Sequence, residues 1–266
     1  MRLRRLCGAV ALAVTLGAAH AGPPAPSPAA AQMVRVQPSA GQVPANLLRL
    51  SIEFTARIEG PVLPRLALLR PDGKPLAQPF LAQELWSPNG RILTVLLHPG
   101  RVKTGLNARE VLGPILVDGD DVTLTLDDRP IQHWHVGPAD TSGPQLSAWR
   151  LSSVRAASRQ ALVLTLDDAI DGRDADYLAI ADPHGRRVSG QALLKDGERT
   201  WVFTPHAPWR AGEYRLIARG TLEDPAGNRL GGRFETPADA PAAAPADAAL
   251  AFTVGSTPSL ASAHRP

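Results

Sequence analysis

Hydrophobic and polar residues alternate with a period of two at several places along the chain, which is the spacing of a strand with one buried face. The run from Leu48 to Phe54 alternates in this way. In the second half of the chain, Leu162, Leu164 and Leu166 alternate with smaller or polar residues. Short strands of this kind, separated by turns that contain glycine and proline, predict an all-β fold.

The turn signals recur in the two halves of the chain. Pro71 to Gly73 and Pro183 to Gly185 each form a Pro-x-Gly turn after a predicted strand. Asn89-Gly90 and Asp196-Gly197 each predict a hairpin turn before a strand that ends at a proline. Matched positions lie 106 to 118 residues apart, which is about the length of one Ig-like domain.

The next signals concern how each half closes. Gly105 and Gly212 are matched as the following glycine of each half. Tyr214 lies two residues after Gly212, near the start of a strand, where a tyrosine corner bonds its hydroxyl to nearby backbone. Leu106 is the matched residue of the first half and has no hydroxyl, so we expect that half to close differently. Leu222 to Asn228 predicts a turn that needs glycine or asparagine at positive φ.

These patterns predict two tandem Ig-like β-sandwiches. The first is expected over residues 33–137 and the second over residues 145–256, with a Pro/Ala-rich insertion at 236–248 before the last strand. The linker, residues 138–144, contains two prolines that restrict its backbone, so the domains should keep a preferred relative orientation. Residues 257–266 are predicted to be a disordered tail.

The first residues have the composition of an export signal. Three arginines precede an uncharged run of 14 residues from Leu6 to Ala19, and Ala19-His20-Ala21 is a small-x-small cleavage site. The run is too short to span a bilayer and no later apolar stretch is as long, so no transmembrane segment is predicted. We expect a signal peptide over residues 1–21, a disordered Pro/Ala-rich spacer over 22–32, and a protein in the periplasm or outside the cell.

Charge and cysteine content change once the signal is removed. The full chain carries a formal charge of +3, but its first 21 residues hold three of the 28 basic residues and none of the 25 acidic ones. The remainder is neutral, which excludes the basic surface typical of nucleic-acid binding. The one cysteine, Cys7, lies in the signal, so a cysteine nucleophile, a thiolate metal site and a disulfide are excluded from the exported chain.

Several segments resemble bacterial Ig-like domains of the S-layer-protein type: Val36 to Pro44, Trp201 to Pro205, Pro208 to Tyr214 and Leu222 to Asn228. More specifically, Leu93 to Leu106 and Gly113 to Leu116 resemble a set of exported bacterial proteins with two such domains. The likeness covers residues 34–234. His98 stands where that family is expected to have an acid, and the resemblance implies a fold but no activity.

A pair of strand histidines is the first candidate site. His133 and His135 flank Trp134, and residues two apart on a strand face the same side, so their imidazoles could share a metal. Two ligands make an incomplete site. The alternative is a pair of solvent-facing histidines on a sheet whose other face is covered by Trp134. No cofactor is predicted.

Two further features suggest ligands. Residues 167–176 contain five aspartates, which suits calcium, although the alternative is a solvated loop between strands. Aromatic faces stack on sugars, so the tryptophans suggest a carbohydrate platform, while core packing is the alternative. The five tryptophans are Trp86, Trp134, Trp149, Trp201 and Trp209.

No nucleophile elbow, phosphate loop, dinucleotide fingerprint or His-Glu-x-x-His motif occurs, so the sequence favours a protein that is not an enzyme. The leading hypothesis is an exported Ig-like binding or structural module of the bacterial cell envelope, with an envelope protein or polysaccharide as its partner. The alternative is a periplasmic copper carrier, in which cleavage after Ala19 exposes His20. A carbohydrate-binding module is the third hypothesis.

A partner is expected near the junction of the two domains. Trp134 and Trp149 flank the linker and can supply apolar area there, while His133, His135 and Arg150 can supply polar contacts. The alternative is that both tryptophans pack one domain against the other.

Overall fold

The computed structural model describes residues 33–103, 107–232 and 246–255, and within these ranges the chain forms two β-sandwiches in succession. The predicted signal peptide, the spacer and the C-terminal tail lie outside the described residues. So does most of the Pro/Ala-rich insertion at 236–248.

The first sandwich contains two four-stranded sheets. One sheet has the order β1 (Met33–Gln37), β3 (Arg49–Phe54), β6 (Ile92–Leu97) and β5 (Phe80–Trp86). The other has the order β2 (Gln42–Pro44), β8 (Arg129–Gly137), β7 (Asp121–Leu126) and β4 (Leu66–Leu69), and β2 runs parallel to β8. These are the A-B-E-D and A′-G-F-C orders of an Ig-like domain.

The second sandwich repeats this plan. One sheet has the order β12 (Gly190–Lys195), β13 (Thr200–Pro205), β10 (Leu162–Thr165) and β9 (Arg150–Leu151). The other has the order β11 (Leu178–Ala181), β14 (Gly212–Ala218) and β15 (Ala248–Val254). The strand order within the sheets assigns both domains to the Ig-like fold, so the predicted pair of tandem sandwiches is confirmed.

Helical structure is limited to connections between strands. Two short helices, α1 (Pro99–Val102) and α2 (Asn107–Leu112), lie between β6 and β7. Single 3-10 turns occur at Leu63–Arg65, Leu146–Ala148 and Asp174–Tyr177. No helix in the described ranges is long and apolar enough to cross a membrane.

Each sandwich has its own hydrophobic core. In β3 the alternation predicted from the sequence buries Leu50, Ile52 and Phe54, and in the second domain Leu162 and Leu164 of β10 are fully buried. Trp134 belongs to the first core, whereas Trp149, Trp201 and Trp209 belong to the second.

The predicted turns use the left-handed backbone conformation. Gly73 and Gly185 both have φ of 78°, and Gly90, Gly197 and Gly227 also have positive φ. These turns confirm that the order of strands and turns is repeated in the two halves, because each glycine lies beside the matching strand.

One match between the halves is wrong. Gly212 opens β14, whereas the equivalent strand of the first sandwich, β7, begins at Asp121, well beyond Gly105 and Leu106. Leu68 and Ile180 are matched positions of the two domains. Leu124 pairs with Leu68 and Leu216 pairs with Ile180, so Leu124 matches Leu216, and Val122, two residues earlier, matches Tyr214. The match failed because the connection from β6 to β7 contains two helices, which the connection from β13 to β14 does not.

Candidate binding site at the domain junction

The two tryptophans predicted at the junction are enclosed in separate domain cores. Trp134 is 1% exposed and its indole Nε1 donates to the carbonyl of Pro38 at 3.1 Å. Trp149 is 2% exposed and its Nε1 donates to Asp167 Oδ1 at 2.8 Å. Their rings therefore stabilise the two domains separately and present no apolar surface between them. Arg150 is exposed, with its guanidinium on the carbonyls of Ser147 and Trp149.

The strand histidines face the same side of β8, as their spacing predicts. Both are exposed, and Asp121 on the neighbouring strand lies between them, with its Oδ1 3.2 Å from His135 Nδ1 and 3.6 Å from His133 Nε2. Thr123 Oγ1 lies 3.2 Å from His133 Nδ1. Among the described residues, no group of three or more His, Cys, Asp or Glu side chains is arranged to hold a metal ion. Partner binding by His133, His135 and Arg150 stays a prediction.

The tryptophans do not form a platform for sugars in the described part of the chain. Trp201 is fully buried and Trp209 is 3% exposed, so with Trp134 and Trp149 they have no accessible ring face. Trp86 is half-buried, and its Nε1 donates to Glu84 Oε2 at 2.8 Å.

The acidic run at 167–176 is engaged by nitrogen donors. Asp167 accepts hydrogen bonds from Trp149 and from the backbone N–H of Gln145, and Asp168 pairs with Arg199 at 2.7 Å. Asp171 pairs with arginines from both domains, and Asp174 accepts from the backbone of Glu223. These contacts make the run a structural part of the second domain and of the junction.

A buried ion cluster joins the two domains. Arg49, at the start of β3, pairs with Asp171 through Nε and with Glu223 through Nη2. The Arg49 side chain is 10% exposed and Asp171 is 5% exposed. Burial lowers the pKa of Arg49, but the charges and hydrogen bonds of Asp171 and Glu223 outweigh burial and raise it above its ordinary value. Arg49 is therefore charged at any physiological pH.

A second contact joins the end of β1 to the hairpin between β12 and β13. The carboxylate of Glu198, 3% exposed, accepts hydrogen bonds from Gln37 Nε2 at 3.3 Å and from the Ser39 backbone N–H at 2.8 Å. Gly197 is required here by the close approach of Ala40, since a Cβ at Gly197 would lie 2.8 Å from the Ala40 Cβ. The four-residue hairpin turn at 196–199 is thus also a domain contact.

The linker is held by hydrogen bonds from both domains. Asn46 of the first domain donates to the Asp140 carbonyl at 2.6 Å and accepts from the Asp140 N–H at 2.8 Å. Asn228 of the second domain donates to the same carbonyl at 3.3 Å. In addition, the Leu48 N–H donates to the Pro225 carbonyl at 2.9 Å, a direct backbone bond between the domains.

Two carboxyl groups near the junction have strongly raised pKa values. Burial raises the pKa of Asp174 to about 7, helped by the negative charge of Asp171 and opposed by the Glu223 N–H and by Arg49. Burial also raises the pKa of Asp224 to about 7, against hydrogen bonds from Asn228. The junction therefore contains groups that change charge near neutral pH.

An open cleft of about 490 Å³ lies beside these contacts and is lined by both domains. Its size is in the range of ligand pockets. The polar side chains on its walls are Gln42, Asp140, Asp168 and Arg199. The remaining lining residues are apolar or glycine: Pro38, Ala40, Gly41, Val43, Pro44, Gly137, Pro138, Ala139, Ala169 and Pro225. Such a mixture can bind an apolar group together with hydrogen-bonding or charged groups.

Sequence reasoning missed Arg49, Glu198 and Glu223, the residues that connect the domains. Arg49 and its partners Asp171 and Glu223 are separated by 122 and 174 residues, so no spacing signal links them. The one available signal was Asp171 within an acidic run, which by itself indicated a solvated loop.

No family model matches the sequence, and no curated protein matches it. Among solved structures, the titin domains Z1Z2 in complex with telethonin are 10% identical, with a TM-score of 0.24, over 79% of this chain and 88% of that chain. The mouse nectin-like molecule 4 ectodomain is 14% identical, with a TM-score of 0.22, over 87% of this chain and 66% of that chain. The adhesin InvE of Yersinia pseudotuberculosis is 11% identical, with a TM-score of 0.22, over 84% and 60%.

Proposed function

We propose that this chain is an exported, non-enzymatic binding or structural module of a bacterial cell envelope, in which the junction cleft receives part of an envelope protein or polysaccharide. The domains act over residues 33–137 and 145–256, joined by the linker 138–144. Export rests on the signal features of residues 1–21, and the bacterial S-layer-type assignment rests on the sequence resemblance.

The observation that carries the proposal is the set of contacts across the junction. Arg49 is held by two carboxylates of the other domain, and backbone N–H groups of Leu48 and Ser39 add direct bonds. Separating the domains breaks these charge-assisted hydrogen bonds and backbone bonds together, so it costs more than the loss of any one of them. The walls of the cleft therefore keep a constant distance, and a pre-formed site binds without the entropy cost of ordering two mobile domains.

The chemistry of the cleft favours binding over catalysis. Its titratable side chains are already paired or hydrogen bonded, as Arg199 is with Asp168 and Asp140 is with Ser142. Arg199 and Asp168 are both about half exposed, so breaking their ion pair costs little. Each side chain can then bind a polar or charged group of a partner instead. The apolar wall supplies the remaining contact area.

The test is recovery of partners from envelope extract with two matched variants as bait. Ala139→Trp fills the cleft from an exposed position, and Ala207→Trp places the same ring on an exposed loop of the second domain away from the cleft. We expect a partner that the wild type and Ala207→Trp recover and Ala139→Trp loses. Equal recovery by both variants, with unchanged melting, would show that the cleft is not the binding site.

A further inference from the structure

The last strand of each sandwich has an outer edge: β2 pairs with β8 at His135–Gly137, whereas β15 has no neighbouring strand on its outer side in the described ranges. In the first domain, β2 pairs with the last strand, β8, on the side away from β7. In the second domain, β15 is the outermost strand of its sheet. Within the described ranges, the 3-10 turn Leu146–Ala148 lies near β15, and the Ala156 N–H donates to the carbonyl of Gly255, just beyond the strand.

The path of the chain explains this difference. In the first domain the chain leaves β1 and continues along β8 for the whole of β2. In the second domain Arg150 and Leu151, which precede the parallel bridge from Arg155 to Gly255, pair with β10 instead. A chain running parallel to β15 would place the residues before Arg155 along Ala249–Thr253, so the pairing of β9 with β10 leaves that stretch without a neighbouring strand in the described ranges.

The direction of the backbone groups along β15 follows from the bond at Gly255. Alternate residues of a strand direct their N–H and C=O to the same side, and the carbonyl of Gly255 points outward. Ala249, Ala251 and Thr253 therefore direct their backbone groups outward, while the residues between them bond to β14. The side chains of these three residues are exposed as well.

The edge of β15 lacks the features that keep exposed strands from pairing. The strand Ala248–Val254 is seven residues long, contains no charged residue and no proline, and pairs with β14 without a bulge. Natural proteins protect edges with lysine, proline, bulges or short strands. The exposed side chains of β15 are alanine and threonine, which are small enough to let a neighbouring strand approach.

We propose that β15 pairs antiparallel with β15 of a second copy of this chain, joining the two three-stranded sheets into one. A two-fold axis at Ala251 places this residue opposite itself and places Ala249 opposite Thr253. All three opposed pairs then involve outward-directed backbone groups, so each pair exchanges two hydrogen bonds. The strand is neutral, so no like charges meet, and one self-complementary surface closes the dimer as expected for two-fold symmetry.

The test is the mass of the full-length exported protein in solution, measured by light scattering over roughly a hundredfold range of concentration. We expect a dimer in the wild type. Ala251→Lys and Ala251→Asp should each weaken dimerisation by about tenfold or more, because like charges then face each other across the axis. An equimolar mixture of the two variants should restore the dimer, which only a residue that faces its own copy can do.

Leu193→Lys is the matched control, because Leu193 is exposed on β12, an edge strand of the opposite sheet. This variant should dimerise like the wild type, and all variants should melt at the wild-type temperature. A dimer that survives both Ala251 variants, or that Leu193→Lys also abolishes, would overturn the proposal.

A wild-type protein that stays monomeric would overturn it as well, and hydrogen exchange would then identify the occupant of the edge. Slow exchange at Ala249, Ala251 and Thr253 in a monomer would mean that another segment of the same chain covers β15. Fast exchange would mean that the edge is open to a different polypeptide. The junction cleft is not involved in either outcome, so this result is independent of the proposed function.

Discussion

The two sandwiches share one topology but close the connection before the F strand in different ways. In the second domain a short connection leads into β14, and Tyr214, 5% exposed, accepts a hydrogen bond from the Arg210 N–H at 3.3 Å. This is the tyrosine corner that the sequence predicted. In the first domain the same connection contains α1 and α2, and Val122 stands where Tyr214 would be.

A buried arginine takes over that role in the first domain. Arg101, 3% exposed, lies at the end of α1 and directs its guanidinium to backbone carbonyls of two loops. Burial lowers the pKa of Arg101, as does the charge of Arg70. Its acceptors are the carbonyls of Ala77, Gln78, Leu112, Gly113 and Pro114.

This difference shows that two domains with the same topology can stabilise the same connection with different side chains. In the short connection of the second domain, one hydroxyl accepts a hydrogen bond from one backbone N–H. The long connection of the first domain has several backbone carbonyls that need a donor. Arginine carries five N–H donors in a fixed arrangement and can satisfy several carbonyls at once. The first domain should therefore depend on a single side chain far more than the second does.

Arg101→Met should have the largest effect and destabilise the first sandwich by about 4 kcal/mol, because several buried carbonyls lose their donor together. Differential scanning calorimetry should show a lower melting temperature for the coupled transition of the two domains. Arg70→Met, on an exposed arginine of the same domain, should change it little. Equal effects of the two substitutions would contradict the role assigned to Arg101.

Arg49→Met should cost about 3 kcal/mol, because Asp171 and Glu223 are left buried without their partner. We expect the two domains, coupled in the wild type, to melt separately in this variant. Arg229→Met is the matched control: it also removes a partner of Glu223, but from the exposed side, where Arg229 is 54% exposed. If the control uncouples the domains equally, the buried cluster is not what holds them.

The raised pKa values near the junction predict how stability depends on pH. The folded protein keeps protons on Asp174 and Asp224 up to about pH 7, whereas the unfolded chain releases them near pH 4. Unfolding free energy should therefore fall as pH rises from about 4 to 7 and level off above that, by up to about 1.4 kcal/mol per pH unit for each group. Asp174→Asn should make this slope shallower in urea titrations, and an unchanged slope would refute the assignment.

Tyr214→Phe should destabilise the second sandwich by about 1 kcal/mol, because the Arg210 N–H loses its acceptor. The melting temperature of the coupled domains should fall less than in Arg101→Met. A wild-type melting temperature would mean that the corner contributes nothing to the stability of the second domain.

The smallest effects are expected at the exposed histidines of β8, whose counterparts in β15 are Ala251 and Thr253. His133→Ala and His135→Ala should each change the unfolding free energy by less than about 0.5 kcal/mol. Calorimetric titration with Zn(II) or Cu(II) should give only weak binding, since two imidazoles make an open site. A submicromolar affinity that either substitution abolishes would favour the metal-carrier hypothesis instead.

The sequence by itself determined the local features of both domains. The alternation at Leu50, Ile52 and Phe54 predicted a half-buried strand, and Gly73 and Gly185 predicted matching turns, because strand period and turn conformation depend on neighbouring residues alone. Tyr214 was identifiable for the same reason, since the N–H that donates to its hydroxyl belongs to Arg210, four residues away.

Only the tertiary structure decided which distant residues meet. Arg49 contacts carboxylates 122 and 174 residues further along the chain, and these partners are set by how two finished domains pack. Trp134 and Trp149 flank the linker in sequence, yet each indole lies in the core of its own domain, away from the junction. The outer side of β15 has no neighbouring strand in the described ranges because Arg150 and Leu151 pair with β10, a choice that no local pattern predicted. Burial and partner choice at these positions are properties of packing, which the periodicity of a single strand does not contain.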